Sequence, residues 1–517
     1  MATVFTNGPI LTLESSLPIA DWLVVDGGRI TGVGLGDPPA AADRYDLAGR
    51  CLLPGFQDAH VHPPIGGLAM NRCDIHEVEP DQYLDTIAAY AASHPNDEWI
   101  LGGGWAMHDF PGGMALASVL DSVVSDRPVL LHGSEGHGAW ANTRALHLAG
   151  IDATTVDPPH GRIERFGDGS PNGTLQEGAV ALVERVVPPT TVVELQAGIA
   201  SAQQYLTSLG ITGWQDAWVT EEVQEAYLAA DRAGELRGTV IGALWWDRER
   251  GVEQLDHLIE RSHNGSVQFS PRSVKLMVDG VCENGTAAML APYEGDTDRG
   301  IQFIDRATLL EAVPRIMAAG LQPHFHAIGD RAIRDALDAV EAGDPAHAAA
   351  VRPHIAHIQV IDPQDVPRFG SLGVAANAQA LWACYDGCMI ELTAPRLGER
   401  TALQYPFRSL IDGGAPFACG SDWSVSTADP FAQMAVATTR REHAEADPFV
   451  PGEAITRQEA LRGFTMGSAW VNHRENESGS LVAGKVADMV VASENPLLAE
   501  DLAGVSVEAT IIGGVAI

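Results

Sequence analysis

Residues 52–64 read LLPGFQDAHVHPP. The apolar run turns at Pro54-Gly55 and then delivers Asp58, His60 and His62 at every second position. Side chains two apart on a strand share a face. The stretch therefore reads as a buried strand that presents a carboxylate and two imidazoles to one side. Buried apolar strands rarely carry ionisable groups unless those groups are paired or bind a metal.

Seven further strand-like runs follow along the chain. With the first, PGFQDAHVH (54–62), they are GITGWQDAW (210–218), RGTVIGALWW (237–246), SVKLMVDG (273–280), QPHFHAIG (322–329), RPHIAHIQV (352–360), GVAANAQAL (373–381) and PFACGSDW (416–423). Amphipathic stretches such as ATLLEAVPRIMAAG and RAIRDALDAVEAG separate most of them. Strands alternating with helices predict a parallel sheet, and eight of them predict an α/β fold of the (β/α)8 barrel type. Residues 53–470 are assigned to this barrel. An insertion at about residues 70–200, with its own helices and turns, accounts for the gap after the first strand. Within it, GGGWAMHDFPGG and ERFGDGSPNG read as ordered loops. Residues 1–52 carry short strands and a DGG turn, and residues 471–517 have the same texture. The two ends are expected to form one small β-sandwich.

The bulk properties exclude several classes. The chain has 517 residues, 45% of them hydrophobic, enough for a large core. A net charge of −36 repels nucleic acid and anionic membranes. No apolar run reaches the roughly 20 residues of a membrane span. MATVFTNGPILTLESS has no basic segment followed by a long apolar one, so no secretory leader is expected and the location is read as cytoplasmic. Six cysteines form no CxxC pair and read as reduced thiols.

In such a barrel, chemistry belongs at the C-terminal ends of the strands. His60 and His62 end the first candidate strand, and Lys275 lies in the fourth. His326 ends the fifth, His357 lies in the sixth, and Asp422 ends the eighth. Neighbouring neutral imidazoles with no shared proton favour a cation between them, and zinc suits nitrogen and oxygen ligands from several elements. The alternative is a pair of hydrogen-bonded barrel histidines. A bare ammonium on Lys275 would be repelled by zinc, whereas its carbamate would be an anionic donor able to bridge two metals. Otherwise Lys275 reaches the surface or pairs with Asp279. A carboxylate such as Asp422, beside metal-activated water, can take a proton and pass it to a leaving group.

PGFQDAHVH, HAIGDRA, RPHIAHIQ and GSDW, in this order, resemble the metal-dependent amidohydrolase superfamily, and more narrowly its branch with N-substituted formamide deformylase. LGITGWQDA, VKLMVDG with GTAAML, and GSLVAGKVADMVV extend the resemblance over nearly the whole chain. It implies a distorted (β/α)8 barrel with a β-sandwich from both termini. The implied metal ligands are His60, His62, His326, His357 and Asp422, with Lys275 as a carboxylated bridge between two zinc ions or other divalent transition metals. His326 is preferred to His324 because it directly precedes AIGD; His324 is left to a supporting or substrate-binding role. His354, three residues before His357, should point elsewhere. Relatives commonly form homodimers. The chain also departs from the family: SEGHGAW stands where Asp-Gly-His is usual, so His137 is expected to reach substrate. Cys282, Glu283 and Asn284 stand where substrate selection should differ. The HxxE that deaminases place at the fifth-strand histidine is missing; here the sequence reads HAIGD.

Trp218, Trp245, Trp246, Trp382 and Trp423 fall at strand ends, and Trp105 and Trp140 in the insertion. Aromatics at a barrel mouth suit an apolar or aryl group. His137, Trp105, Glu283, His324, Trp382 and Trp423 are the candidate substrate contacts, and Asp422 and His326 the candidate catalytic pair. The expected activity is zinc-dependent hydrolysis of a non-peptide C–N bond in a small N-substituted amide, formamide or carbamate. An esterase, a lactone or cyclic-amide hydrolase, a deaminase and a metal-binding protein without turnover are the rivals.

Overall fold

The computed structural model describes every residue except Met1, Ala42 and Glu77. Eight parallel strands make the central sheet: β1 Phe56–Val61, β2 Ile211–Val219, β3 Thr239–Trp245, β4 Phe269–Met277, β5 Gln322–Ala327, β6 His354–His357, β7 Ala375–Ala378 and β8 Phe417–Cys419. They lie side by side in chain order. Ile211 pairs with Phe56 at one end of the order and Phe417 with Ala376 at the other. Each strand overlaps one of the eight segments read from the sequence, and the fold is a TIM-like barrel with additional sheets.

The barrel closes just beyond β8. The Asp422 amide donates to the His60 carbonyl at 2.7 Å, and the His62 amide to the Trp423 carbonyl at 2.7 Å. Asp58, fully buried, accepts the Ser421 amide at 3.1 and 3.2 Å and the His60 amide at 2.9 Å. A Cβ on Gly420 would stand 2.6 Å from the His60 nitrogen, so only glycine lets the two strand ends approach this closely.

Helices coat the outside. In helix Asp330–Glu341, which follows β5, Ala332, Ile333, Ala336, Leu337 and Val340 recur at helical spacing and are buried. Helix Val192–Ser208 leads into β2 and opens on a capping box, Thr191 with Glu194.

Cys51–Pro54 runs antiparallel to Met489–Ala492, so both chain ends share a six-stranded sheet. A second sheet of four strands holds Thr3–Thr6, Trp22–Asp26, Arg29–Gly34 and Asp43–Asp46. Phe5, Leu23, Leu52, Met489 and Ile511 belong to one shared core of buried residues.

Between β1 and β2 the structure holds a six-stranded mixed sheet, from Cys73–Asp74 to Pro171–Glu177. The two glycine-rich segments expected as loops contribute strands to it. Ile100–Trp105 pairs with Val129–Gly133, and Gly161–Arg165 forms a hairpin with Pro171–Glu177. At Gly102 glycine serves close packing: a Cβ there would stand 2.0 Å from the Cys73 carbonyl oxygen, whereas Gly167 and Gly169 lie in the hairpin turn.

Asp58→Ala would orphan two buried amides at the seam, at about 1–3 kcal/mol each. Calorimetry should show the variant destabilised by about 3 kcal/mol. An unchanged thermal midpoint would show that the seam does not depend on Asp58.

Candidate active site

The C-terminal ends of β1, β4, β5 and β6 converge on Asp422. His60 Nε2 lies 3.1 Å and His62 Nε2 3.0 Å from Asp422 Oδ1, and His357 Nδ1 lies 3.8 Å from Oδ2. Ligand atoms of His60, His357 and Asp422 all fall within 4.8 Å of one another. Lys275 Nζ is 3.3 Å from His60 Nε2, and the His326 ring lies 4.4 Å from that of His357. The six residues expected to hold metal are thus brought together. His357 and Asp422 both take a left-handed backbone, φ 76° and 56°, which side chains other than glycine adopt only under constraint.

Burial, reinforced by neighbouring positive groups, holds His60, His326 and His357 well below the ordinary imidazole range. Burial also brings the Lys275 ammonium down to about 7. Burial opposes the charge of Asp422, yet His62, His357 and Lys275 outweigh it and keep its carboxyl below the usual range. The centre is one carboxylate among buried imidazoles and the Lys275 amine. Both ring nitrogens of His357 and Nδ1 of His326 are buried without a hydrogen-bond partner. Buried polar atoms normally find partners. Orphaned nitrogens beside a carboxylate oxygen fit a divalent transition metal.

Lys275 is 3% exposed, and no bond joins it to Asp279. Asp279 is occupied elsewhere, accepting the amides of Ala288, Ile328 and Gly329 at 2.8–3.0 Å. These bonds lock the loop after β4 to the end of β5.

A cavity of about 950 Å³ opens above the centre, lined among others by His62, His137, Lys275, Glu283, His326 and Asp422. Trp218 and Trp245 stack in its wall at 4.2 Å and 10°. Trp382 lies in the wall too, stacked on His357 at 5.7 Å. Glu283 is held by the Thr393 hydroxyl at 2.9 Å.

Three expected substrate contacts lie off this wall. His324 shares a strand face with His326 but sits one layer deeper in the barrel, two residues back along β5. There its Nε2 lies 2.7 Å from Nδ1 of His60, so it supports a candidate ligand instead of meeting substrate. His354 points away from the centre, its Nε2 3.0 Å from Gln215 Oε1. Trp105 is fully buried in the insertion's own core, packed on Phe110 and Trp140, with its indole N–H on the Leu131 carbonyl at 2.9 Å. Trp423 turns outward, its ring 4.8 Å from that of Tyr205 and covering Gly66. Only its backbone serves the seam. Trp246, likewise, is core.

Glu177, which the sequence reading passed over, lies in the cavity wall beside His137. His137 Nδ1 is 3.1 and 3.2 Å from the two Glu177 carboxylate oxygens. A glutamate ending a strand before Gly178 carries no signal in sequence; only the antiparallel pairing of the insertion strands joins it to a histidine 40 residues away.

The amidohydrolase family model matches residues 43–517. The chain is 31% identical to Protein LONG AFTER FAR-RED 3 of Arabidopsis thaliana, over 98% of this chain and 90% of that protein. It is 28% identical to the N-substituted formamide deformylase of Arthrobacter pascens, over 95% of this chain and 93% of that one. An uncharacterized metal-dependent hydrolase from Pyrococcus furiosus superposes with a TM-score of 0.73 at 25% identity, covering 96% of this chain and 100% of that one. With a barrel, a converging set of imidazoles and a carboxylate, and a family match over most of its length, this chain belongs to the amidohydrolase family of metal-dependent hydrolases.

Proposed function

We propose that the chain is a zinc-dependent hydrolase of a non-peptide C–N bond, acting on an N-substituted amide, formamide or carbamate that carries an apolar or aryl group. The observation that supports it is the convergence of His60, His62 and His357 on the Asp422 carboxylate at the floor of a tryptophan-walled cavity. His60, His62, His326, His357 and Asp422 would hold the zinc, with Lys275 as a carboxylated bridge between two ions. An amine brought down to about 7 is largely neutral around physiological pH, the form that adds CO2 and releases a proton to give a carbamate. A divalent ion held there supplies a Lewis acid for the carbonyl oxygen and a source of nucleophilic water at neutral pH. Asp422 takes the proton from the attacking water and returns it to the departing amine. The stacked Trp218 and Trp245 and the face of Trp382 receive the apolar or aryl group. The likeness to an N-substituted formamide deformylase supports this substrate class.

Protein purified without chelators should carry about two zinc ions per chain by elemental mass spectrometry, and Lys275→Met should carry one or none. Two ions retained in Lys275→Met would refute the bridge. Asp422→Asn should lower kcat by about 10²–10⁴ with the thermal midpoint kept, in the range of general acid–base contributions. Wild-type turnover in that variant would remove Asp422 from the mechanism.

A panel of N-benzyl and N-aryl formamides, matched esters and lactones should show amine release from the formamides. Hydrolysis confined to the esters or lactones would move the reading to C–O bonds. No turnover from a fully loaded protein would favour a non-catalytic metal-binding role.

A further inference from the structure

Glu177 is built into the cavity wall with more care than a surface carboxylate needs. Its side chain is 3% exposed. Its backbone sits in the left-handed region at φ 51°, a conformation that surrounding contacts must hold in place. The contacts come from two directions. On the insertion side, its amide donates to the His137 carbonyl at 2.8 Å. On the barrel side, Oε1 accepts the Thr286 hydroxyl at 2.7 Å and the Asn284 side-chain amide at 3.3 Å. Both residues belong to the loop after β4. That loop passes so close that a Cβ on Gly280 would stand 2.6 Å from Glu177 Oε1. The carboxylate is thus clamped between insertion and barrel, and both of its oxygens face Nδ1 of His137.

Nδ1 of His137 donates to Glu177 both in the neutral Nδ1–H tautomer and in the imidazolium, so the orientation holds in either charge state. That leaves Nε2 without a hydrogen bond among the described residues. The ring lies 5.4 Å from that of His326, in the wall of the same cavity. Nothing else in the mechanism uses this pair. A carboxylate that fixes the tautomer and tilt of an imidazole is a recurring means of aiming the opposite nitrogen at a reacting group.

We propose that Glu177 is a positioning residue for the hydrolysis: it aims Nε2 of His137 at the scissile polar group, on the His326 side of the cavity. This rests on the reading of the cavity as a hydrolytic site and adds a device that spans insertion and barrel. The insertion is then part of the active site, because the centre below it lacks this contact without the strand Pro171–Glu177.

The test is a double-mutant cycle in zinc-loaded, full-length protein. His137→Gln and Glu177→Gln should each lower kcat/KM by about a hundredfold, the scale of a misplaced catalytic contact. The thermal midpoint and zinc content should stay at wild-type values. The double variant should be no slower than His137→Gln alone, because Glu177 acts only through His137. Thr286→Val, which removes one holder of the carboxylate, should give a smaller loss that vanishes in the His137→Gln background and serves if Glu177→Gln misfolds. Multiplying effects, or wild-type kcat/KM in Glu177→Gln and Thr286→Val, would overturn the proposal.

An independent readout needs no substrate. In histidine-labelled protein, the Nδ1–H resonance lost in His137→Gln should shift in Glu177→Gln; an unmoved resonance overturns the pairing. If the wild type cleaves esters and no amide, the C–N reading fails while the same cycle, run on the ester, still decides the role of Glu177.

Discussion

The contact on which everything else rests is the seam between the first and last barrel strands. Two backbone hydrogen bonds and the Asp58 carboxylate tie residues 421–423 to the end of β1. Without that closure, Asp422 would not stand between His60 and His62. The seam also explains the alternation in DAHVH. The three side chains look toward one face, but at different depths. Asp58 lies lowest and satisfies backbone amides, while His60 and His62 both meet Asp422 at the floor of the cavity. One short segment supplies both closure and two candidate ligands.

Support for the centre comes from below and above. Below, His324 braces His60, and His354 joins Gln215 in a buried polar layer. These imidazoles are held neutral by burial, so the barrel can stack them without like-charge repulsion. Above, Asp279 pins the loop after β4, and the same loop supplies Asn284 and Thr286 to the Glu177 carboxylate. The segment DGVCENGTA is therefore a junction that ties the barrel to the insertion as well as a stretch of cavity wall. A change in it would be felt at His137 and at His326 together.

Where sequence reasoning failed, the deciding information lay outside the local pattern. A strand pattern tells which residues share a face but not how deep each lies along the barrel axis. His324 and His326 have the same periodicity, and only barrel geometry sends one to the cavity and the other beneath His60. Tryptophan is ambiguous in another way, since its large apolar ring is equally at home in a core or at a binding surface. Trp382 and the Trp218–Trp245 pair reached the cavity, while Trp105, Trp246 and Trp423 were absorbed by packing. The glycine-rich insertion segments read as loops because glycine's turn-forming role is local, whereas its role in close strand packing depends on a neighbour far away in sequence.

The sequence by itself determined the barrel, because eight apolar runs alternating with amphipathic stretches have few other ways to bury their faces. It also located the imidazoles, the lysine and the carboxylate at strand ends, since charge in an otherwise apolar strand is conspicuous wherever it occurs. Only the tertiary structure decided that His324 braces His60 instead of meeting substrate, which tryptophans line the cavity, and that Glu177 holds His137. Those assignments depend on depth within the barrel and on strand pairing in the insertion. Both arise from contacts between segments that sequence order leaves apart.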